Sequence, residues 1–436
     1  VSTVAEVRLW GTTIGVVSVE RPGGVATFQY TPKFVRSGIE VSPLVMPLSD
    51  QVYSFGQLAV GTFHGLPGLL ADSLPDRFGN AVIDAWLAAQ GRAAGEIDAV
   101  ERLCYTGTRG MGALEFRPVM GPRSSASRPV AVEALVALAA EVLQRREALT
   151  ASFADAARER ALRDILRVGA SAGGARPKAV IAWNPATNEV RSGQVTAPPG
   201  FEYWLLKFDG VDGAGGADLF RSSGFGAIEY AYSLMARAAG IRMSECRLFK
   251  ENGRSHFMTR RFDRQPDGGK LHMQSLGSLA HLDFNQPGVH GYEQAMLIMR
   301  RLGLGSDGVA EQFRRMVFNV VARNQDDHVK NIAFLMDRLG RWSLAPAYDL
   351  NFSYNPAGTW TARHQMSLAN KLDGFVPADL RAVGDAVGLA APAVRRIVHD
   401  VTAAVRRWPE WADLGGVDHE RVGVIGSLHR LNLAMD

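Results

Sequence analysis

The chain has 436 residues, 47% hydrophobic and 21% charged, an ordinary globular composition with length for two or three cores, which excludes disorder as the default state. Its net charge of +4, from 48 Lys and Arg against 44 Asp and Glu, is small. The arginine pairs (Arg145-Arg146, Arg260-Arg261, Arg300-Arg301, Arg406-Arg407) are scattered, so direct nucleic-acid binding is not indicated. No apolar run reaches a membrane span, and VSTVAEVRLW lacks the charged and apolar regions of a signal peptide. Two cysteines, Cys104 and Cys246, have no metal-ligand spacing and read as small buried hydrophobes in a reducing compartment. The expectation is a soluble cytoplasmic protein with no membrane partner.

Residues 1 to 35 read as three strands, VAEVRLW, TTIGVVSVE and VATFQYTP, separated by turns at Gly11 and Gly23-Gly24. Residues 53 to 90 are punctuated by Gly and Pro and end in a helix with apolar Ala81, Val82, Ala85 and Trp86. Asp72 and Asp76 flank Leu74-Pro75; a carboxylate pair can be catalytic, but a cap or turn role is commoner. A shift to Gly, Pro, Ser and Arg over 119–130 marks a domain boundary, followed by an amphipathic helix carrying Val132, Leu135, Val136, Ala139, Val142 and Leu143.

Strand-like pieces then flank Gly169-Ala170-Ser171-Ala172-Gly173-Gly174, a hairpin turn in which small residues let backbone N–H groups approach a phosphate. It is not a Walker loop, because G-x-x-x-x-G-K-[ST] is absent. The next strand, Tyr203 to Phe208, places one lysine, Lys207, in an apolar run. A Gly-rich hairpin followed by a strand lysine is the order of kinase N-lobes, where that lysine holds ATP phosphates; an edge-strand lysine facing solvent is the bland alternative. A helix over 227–240 carries Glu229, a potential partner for Lys207. Two strands joined by Glu251-Asn252-Gly253 end at Arg260-Arg261-Phe262-Asp263, where a hinge between two lobes would fall and backbone groups could read adenine.

The remainder is helix-rich, with helical spacing over 292–302, 309–323, 377–388 and 391–407. Within it lies a dense polar centre: Asn324-Gln325-Asp326-Asp327-His328, Lys330-Asn331, an apolar strand, then Ala347-Tyr348-Asp349. Asp326 and Asn331 are spaced as the catalytic Asp and metal-binding Asn of the kinase loop H-R-D-x-x-x-x-N, and Asp349 follows a strand later. Asp327 is the alternative base, standing one residue closer to Asn331. Strands first and helices second give a bilobal α+β plan.

Val168 to Val180, Leu206-Lys207, Arg261 to Arg264, Asp326 to Asn331 and Ala345 to Asp349, in that order, resemble HipA-like serine/threonine kinases, the toxins of bacterial type II toxin–antitoxin systems. Phe28-Gln29-Tyr30, Leu74-Pro75-Asp76 and Gly110 to Leu114 resemble that family's N-terminal subdomain. The resemblance implies a protein-kinase-like fold with a β-rich N-terminal part and an all-helical C-terminal lobe. Its parts are an N-terminal subdomain (1–125), a kinase N-lobe with the Gly-rich loop (126–263) and a C-lobe with the catalytic loop (264–436). Carried over, it implies Asp326 as catalytic base and Asn331 and Asp349 as Mg²⁺ ligands. Gly173, Gly174, Ala175, Lys178, Lys207, Arg260, Phe262, His328 and Lys330 fall at nucleotide contacts, and Ser171 at a self-inactivating autophosphorylation site.

ATP and Mg²⁺ are thus the implied cofactors. The implied partners are a HipB-like DNA-binding antitoxin, DNA only through that antitoxin, and a protein substrate among translation components, for which aminoacyl-tRNA synthetases are a known class in this family. The chain departs from the family pattern at Arg176, at Arg260 and over 275–284, which bears on nucleotide contacts and target. A catalytically silent co-repressor held by its antitoxin is the alternative, against which the set Lys207, Asp326, Asn331 and Asp349 argues; phosphorylation of a small molecule is a third reading.

Overall fold

The computed structural model describes residues 2–121, 129–144, 176–194, 196–211, 223–265 and 267–435. The Gly-rich turn, with Ser171, Gly173, Gly174 and Ala175, lies outside the described residues.

The expected N-terminal strands form as β1 (Thr3–Leu9), β2 (Thr12–Val19) and β3 (Thr27–Tyr30), joined by β4 (Val52–Ser54) and β5 (Leu114–Arg117) in an antiparallel sheet of order β4-β3-β2-β1-β5. Ala5, Val7 and Leu9 point inward while Val4 faces out, the period of two that one buried face demands.

A second five-stranded sheet, order β7-β6-β8-β10-β9, is built from β6 (Lys178–Trp183), β7 (Val190–Ser192), β8 (Glu202–Lys207), β9 (Cys246–Glu251) and β10 (Arg254–Arg260). Its two faces have different jobs. Ala179, Ile181, Trp204, Leu206 and Met258 pack in one core with the helices Arg77–Ala88 and Val132–Gln144. The alternate residues Lys178, Leu205, Lys207, Phe257 and Thr259 line a cleft. The same alternation that buries the tryptophan puts the lysine over the cleft. The β9–β10 turn takes positive φ at Asn252 (+44°) and Gly253 (+74°), as the Asn-Gly pair predicts.

The third part holds the expected helices, Tyr292–Arg301, Ser306–Val321, Pro377–Ala386 and Ala391–Arg406, around Phe313, Met316, Val317, Val320, Ile397 and Trp408. It is not wholly helical: β11 (His272–Ser275), β12 (Ala333–Met336) and β13 (Trp342–Leu344) form a three-stranded antiparallel sheet. The reason is local. Ala333 to Met336 is a short apolar run between the polar loop and a turn, too brief for a helix and buried throughout. Among the described residues no helix is long and apolar enough to cross a membrane, and both cysteines are free and buried.

The N-terminal part is seamed to the rest by polar contacts in tight quarters. Asp263, fully buried, accepts from Arg261 (Nε 2.9 Å, Nη2 2.6 Å), from Arg264 Nη1 (2.7 Å) and from the Gly112 amide (2.7 Å), while both arginines also reach the Gly110 carbonyl. Burial opposes the charge, but the two guanidinium groups outweigh it and hold the Asp263 carboxyl well below the usual aspartate range. At a second seam a Cβ on Gly68 would stand 2.2 Å from the Ser278 carbonyl, so only glycine lets the two segments meet. Removing Asp263 strands two buried guanidinium groups. Asp263→Ala is expected to cost about 3–5 kcal/mol in chemical denaturation; a cost under about 1 kcal/mol would show the seam to be incidental.

Candidate active site

Lys207, at the end of β8, is the hub. Its ammonium donates to Glu229 Oε1 at 2.5 Å and to Asp349 Oδ1. Glu229 comes from the Phe225–Ala238 helix and is 3% exposed, so its pairing with Lys207, one alternative for an otherwise ordinary helix glutamate, is the one adopted. Burial disfavours the Lys207 charge, yet Asp349 and then Glu229 outweigh it and raise the amine above its ordinary value. Asp349 shows the mirror effect. Burial pushes its carboxyl up, but Lys207 and Lys178 hold it down at about 2. For Glu229 burial wins, and its carboxyl is raised despite Lys207. Asp349 also stands at φ +53°, a left-handed conformation that aspartate tolerates better than most residues and that gathers at functional sites.

The catalytic-loop candidates divide into two groups. Asp327 is 3% exposed and saturated: it accepts from Tyr292 Oη (2.6 Å), His364 Nδ1 (2.7 Å) and the Gln365 amide (2.8 Å). His364 Nε2 accepts from Arg430 Nη1 at 2.9 Å, which places the ring proton on Nδ1, toward Asp327. Burial alone would raise the Asp327 carboxyl; His364, Tyr292 and Gln365 bring it below the ordinary value. A carboxylate so occupied is a brace for the loop, which removes it as the alternative base. Asn324 and Gln325 are buried as well, donating to Asn319 Oδ1 (2.9 Å) and the Thr361 carbonyl (3.2 Å), so much of the dense polar stretch is scaffold.

Asp326 faces the other way, with 51% of its side chain exposed and His328 Nε2 3.8 Å from Oδ1. Crowding by surrounding protein raises its carboxyl; His328 opposes this, while Asp349 and Asp327 add to it. Asn331 Nδ2 donates to the Asp326 carbonyl at 2.8 Å, which fixes the loop and leaves Oδ1 as the oxygen donor. The Tyr348 hydroxyl, next to Asp349, donates to the Lys330 carbonyl at 2.5 Å and ties the two segments together. His328 and Lys330 stand beside Phe284, with ring centroids 5.5 Å apart for the histidine and Lys330 Nζ 4.8 Å from the ring.

Beneath the sheet lies an open cleft lined by Lys178, Lys207, Glu229, Asp349, Arg260 and Phe262 among others. His328 and Lys330 are not among its lining residues. The guanidinium of Arg260 is engaged at its mouth by Glu202 (3.3 Å) and Glu245 (3.7 Å). Arg176 stacks on Phe225 at 3.7 Å. Two residues escaped sequence reasoning as parts of the site: Met111, which lines the wall from the clamped N-terminal loop, and Asp76, whose cap role was foreseen but whose carboxylate, behind the wall, also approaches the lining residue Lys178 at 3.8 Å.

Asp349 and Asn331 are hard-oxygen donors, and among the described residues no cluster of three His, Cys, Asp or Glu is arranged to hold a metal. Two protein donors fit Mg²⁺, which keeps waters and phosphate oxygens as its other ligands, better than a metal that needs a complete protein cage.

A β-sheet lobe bearing a lysine–glutamate pair, set over a helical lobe bearing an Asp/Asn loop, is the protein-kinase-like fold. The comparisons narrow the class. Residues 5–117 match the HipA N-terminal domain and residues 170–408 the HipA-like C-terminal domain. The fold is similar to a chain of the Shewanella oneidensis MR-1 toxin–antitoxin system HipA, HipB and operator DNA complex, with TM-score 0.67 and 17% identity over 98% of this chain and 96% of that one. A Helicobacter pylori proinflammatory kinase, CtkA, aligns with 52% of this chain and 90% of its own at TM-score 0.32 and 11% identity, a likeness too slight to bear on the fold. No curated protein matches the sequence. The chain belongs to the HipA-like family.

The division between Asp326 and Asp327 is testable by stability alone. Asp327→Asn should lose about 2–3 kcal/mol, the order of a charged hydrogen-bond set. Asp326→Asn should cost nothing or stabilise slightly, because a carboxyl raised in the folded state is one whose charge the fold disfavours. Equal melting temperatures for the two variants would refute the assignment.

Proposed function

We propose that this protein is an ATP- and Mg²⁺-dependent serine/threonine kinase of the HipA kind, acting as a toxin on a translation component such as an aminoacyl-tRNA synthetase. The observation that carries this reading is the Lys207 ammonium bound to Glu229 and Asp349 together, with Asp326 open beside them. A silent scaffold has no use for a buried cation poised between lobes or for a carboxylate left accessible on a braced loop.

In this reading Lys207 holds phosphate oxygens, and Glu229 keeps the ammonium charged and aimed while it does so. Asp349 and Asn331 would hold Mg²⁺, which supplies charge neutralisation at the phosphates when bound. Asp326 accepts the proton of the attacking hydroxyl. Its raised carboxyl suits proton transfer, since a base too acidic accepts poorly. Asp327 does not touch substrate; it keeps the loop in register. The cleft wall at Phe262 and Met111 offers apolar surface for the adenine.

The partner is proposed to be a HipB-like DNA-binding antitoxin, with DNA reached only through it; the similar fold in the Shewanella complex with HipB and operator DNA supports this. Autophosphorylation at Ser171 rests on the family resemblance, and a phosphate there would crowd ATP phosphates by like-charge repulsion.

The test is intact-mass spectrometry of the full chain incubated with Mg²⁺ and ATP, after its starting mass is established. Wild type should gain one phosphate, mapped to Ser171, and Asp326→Asn should slow this by about 10²–10⁴-fold, the usual contribution of a general base. A chain that starts unmodified, gains nothing and binds no nucleotide would overturn the proposal. Full activity in Asp326→Asn would remove that residue from its role.

A further inference from the structure

Lys178, which the family resemblance puts at a nucleotide contact, is a second buried cation of the cleft beside Lys207. Lys178 opens β6 and stands opposite Lys207 in the β6–β8 register. It is 2% exposed. Two ammonium groups side by side in a desolvated wall repel each other, and burial lowers the Lys178 amine from its ordinary value while Asp76 opposes that shift.

The opposing carboxylate comes from the far N-terminal part of the chain. Asp76 Oδ2 lies 3.8 Å from Lys178 Nζ, and the two side chains are only 1% and 3% exposed. Its other oxygen, Oδ1, accepts from the Gly79 amide at 2.7 Å and caps the Arg77–Ala88 helix. Capping needs an acceptor, not a charge; asparagine and serine serve as well. A buried carboxylate is costly, and burial pushes this one up to about 6, so the charge calls for a use beyond the cap. At 3.8 Å the pair attracts without the short geometry of a hydrogen bond. Met111 lines the same cleft from the loop clamped by Asp263, so the N-terminal part meets the cleft directly at Met111 and, through Lys178, at Asp76.

We propose that Asp76 is a positioning residue of the nucleotide site, holding the Lys178 ammonium apart from Lys207 so that it meets an anionic phosphate. The inference rests on the nucleotide-binding reading. Without the Asp76 charge, Lys178 is drawn to the remaining carboxylates that act on it, Asp349 and Glu229. There it competes with Lys207 for its partners and is no longer presented to a phosphate. The N-terminal subdomain is thereby part of the nucleotide site.

The experiment is calorimetric titration of the full chain with the Mg²⁺ complex of a non-hydrolysable ATP analogue, for wild type, Asp76→Asn, Lys178→Gln and the double variant. Asp76→Asn keeps the cap. It should weaken binding about tenfold, the order of one charge-assisted contact. Lys178→Gln, which leaves the cap untouched, should lose about as much, and the double variant no more than either single one. In turnover the loss should fall on the ATP KM and leave kcat within about threefold. Wild-type affinity in Asp76→Asn or in Lys178→Gln, or additive losses in the double variant, would overturn the inference alone. Absence of binding by wild type would overturn the nucleotide-site reading as well.

Discussion

The architecture depends on one buried cation shared between lobes. Lys207 rises from the sheet, Glu229 from the helix that packs on it, and Asp349 from the segment after β13 in the helical lobe. Desolvation penalises each charge alone, and only their juxtaposition makes the set affordable. The cation therefore does more than fill a site: it makes the relative placement of the sheet and the Asp349 segment part of its own electrostatic balance. Asp349 is held ionised, at about 2, by the same lysines that face the cleft. A carboxylate kept charged at a lobe boundary is the chemistry a divalent cation requires.

Around this hub the fold separates support from chemistry. Asp327, His364, Tyr292, Asn319 and Arg430 form a buried hydrogen-bonded brace, and against it Asp326 can be presented with half its side chain open. The Arg261–Asp263–Arg264 knot plays the corresponding part at the other end of the cleft, fixing the loop that carries Met111. In both places a buried, hydrogen-bonded polar cluster gives rigidity; beside the first Asp326 is left exposed, and beside the second Met111 lines the cleft.

Much of this was legible in the sequence because local rules govern it. Lys207 stood out as one lysine in an apolar strand run after a Gly-rich turn, and helical spacing around Ile228 and Ala231 placed Glu229 on a helix. The spacing of Asp326 and Asn331 reflects one short loop. What escaped were pairings between distant segments, on which local periodicity is silent. Asp76 read as a cap and is one, but its ion pair with Lys178 needs the packing of the Arg77–Ala88 helix on the second sheet. Asp326 and Asp327 are chemically identical neighbours, separable only once Tyr292 and His364 are seen to fill the second. The apolar strand after Asn331 was legible and is β12, but its pairing with β11, far away in sequence, was not, so the lobe read as all-helical. The Gly-rich turn lies outside the described residues.

The central claim is that the Lys207 cluster is a nucleotide-phosphate site. Its most direct measurement is a crystal structure of the full chain with Mg²⁺ and a non-hydrolysable ATP analogue. The account predicts phosphate oxygens within hydrogen-bond distance of Lys207, Mg²⁺ on Asp349 and Asn331, and Asp326 unliganded beside the terminal phosphate. A nucleotide seated elsewhere, or a Lys207 still bound only to its two carboxylates at saturating ligand, would contradict it.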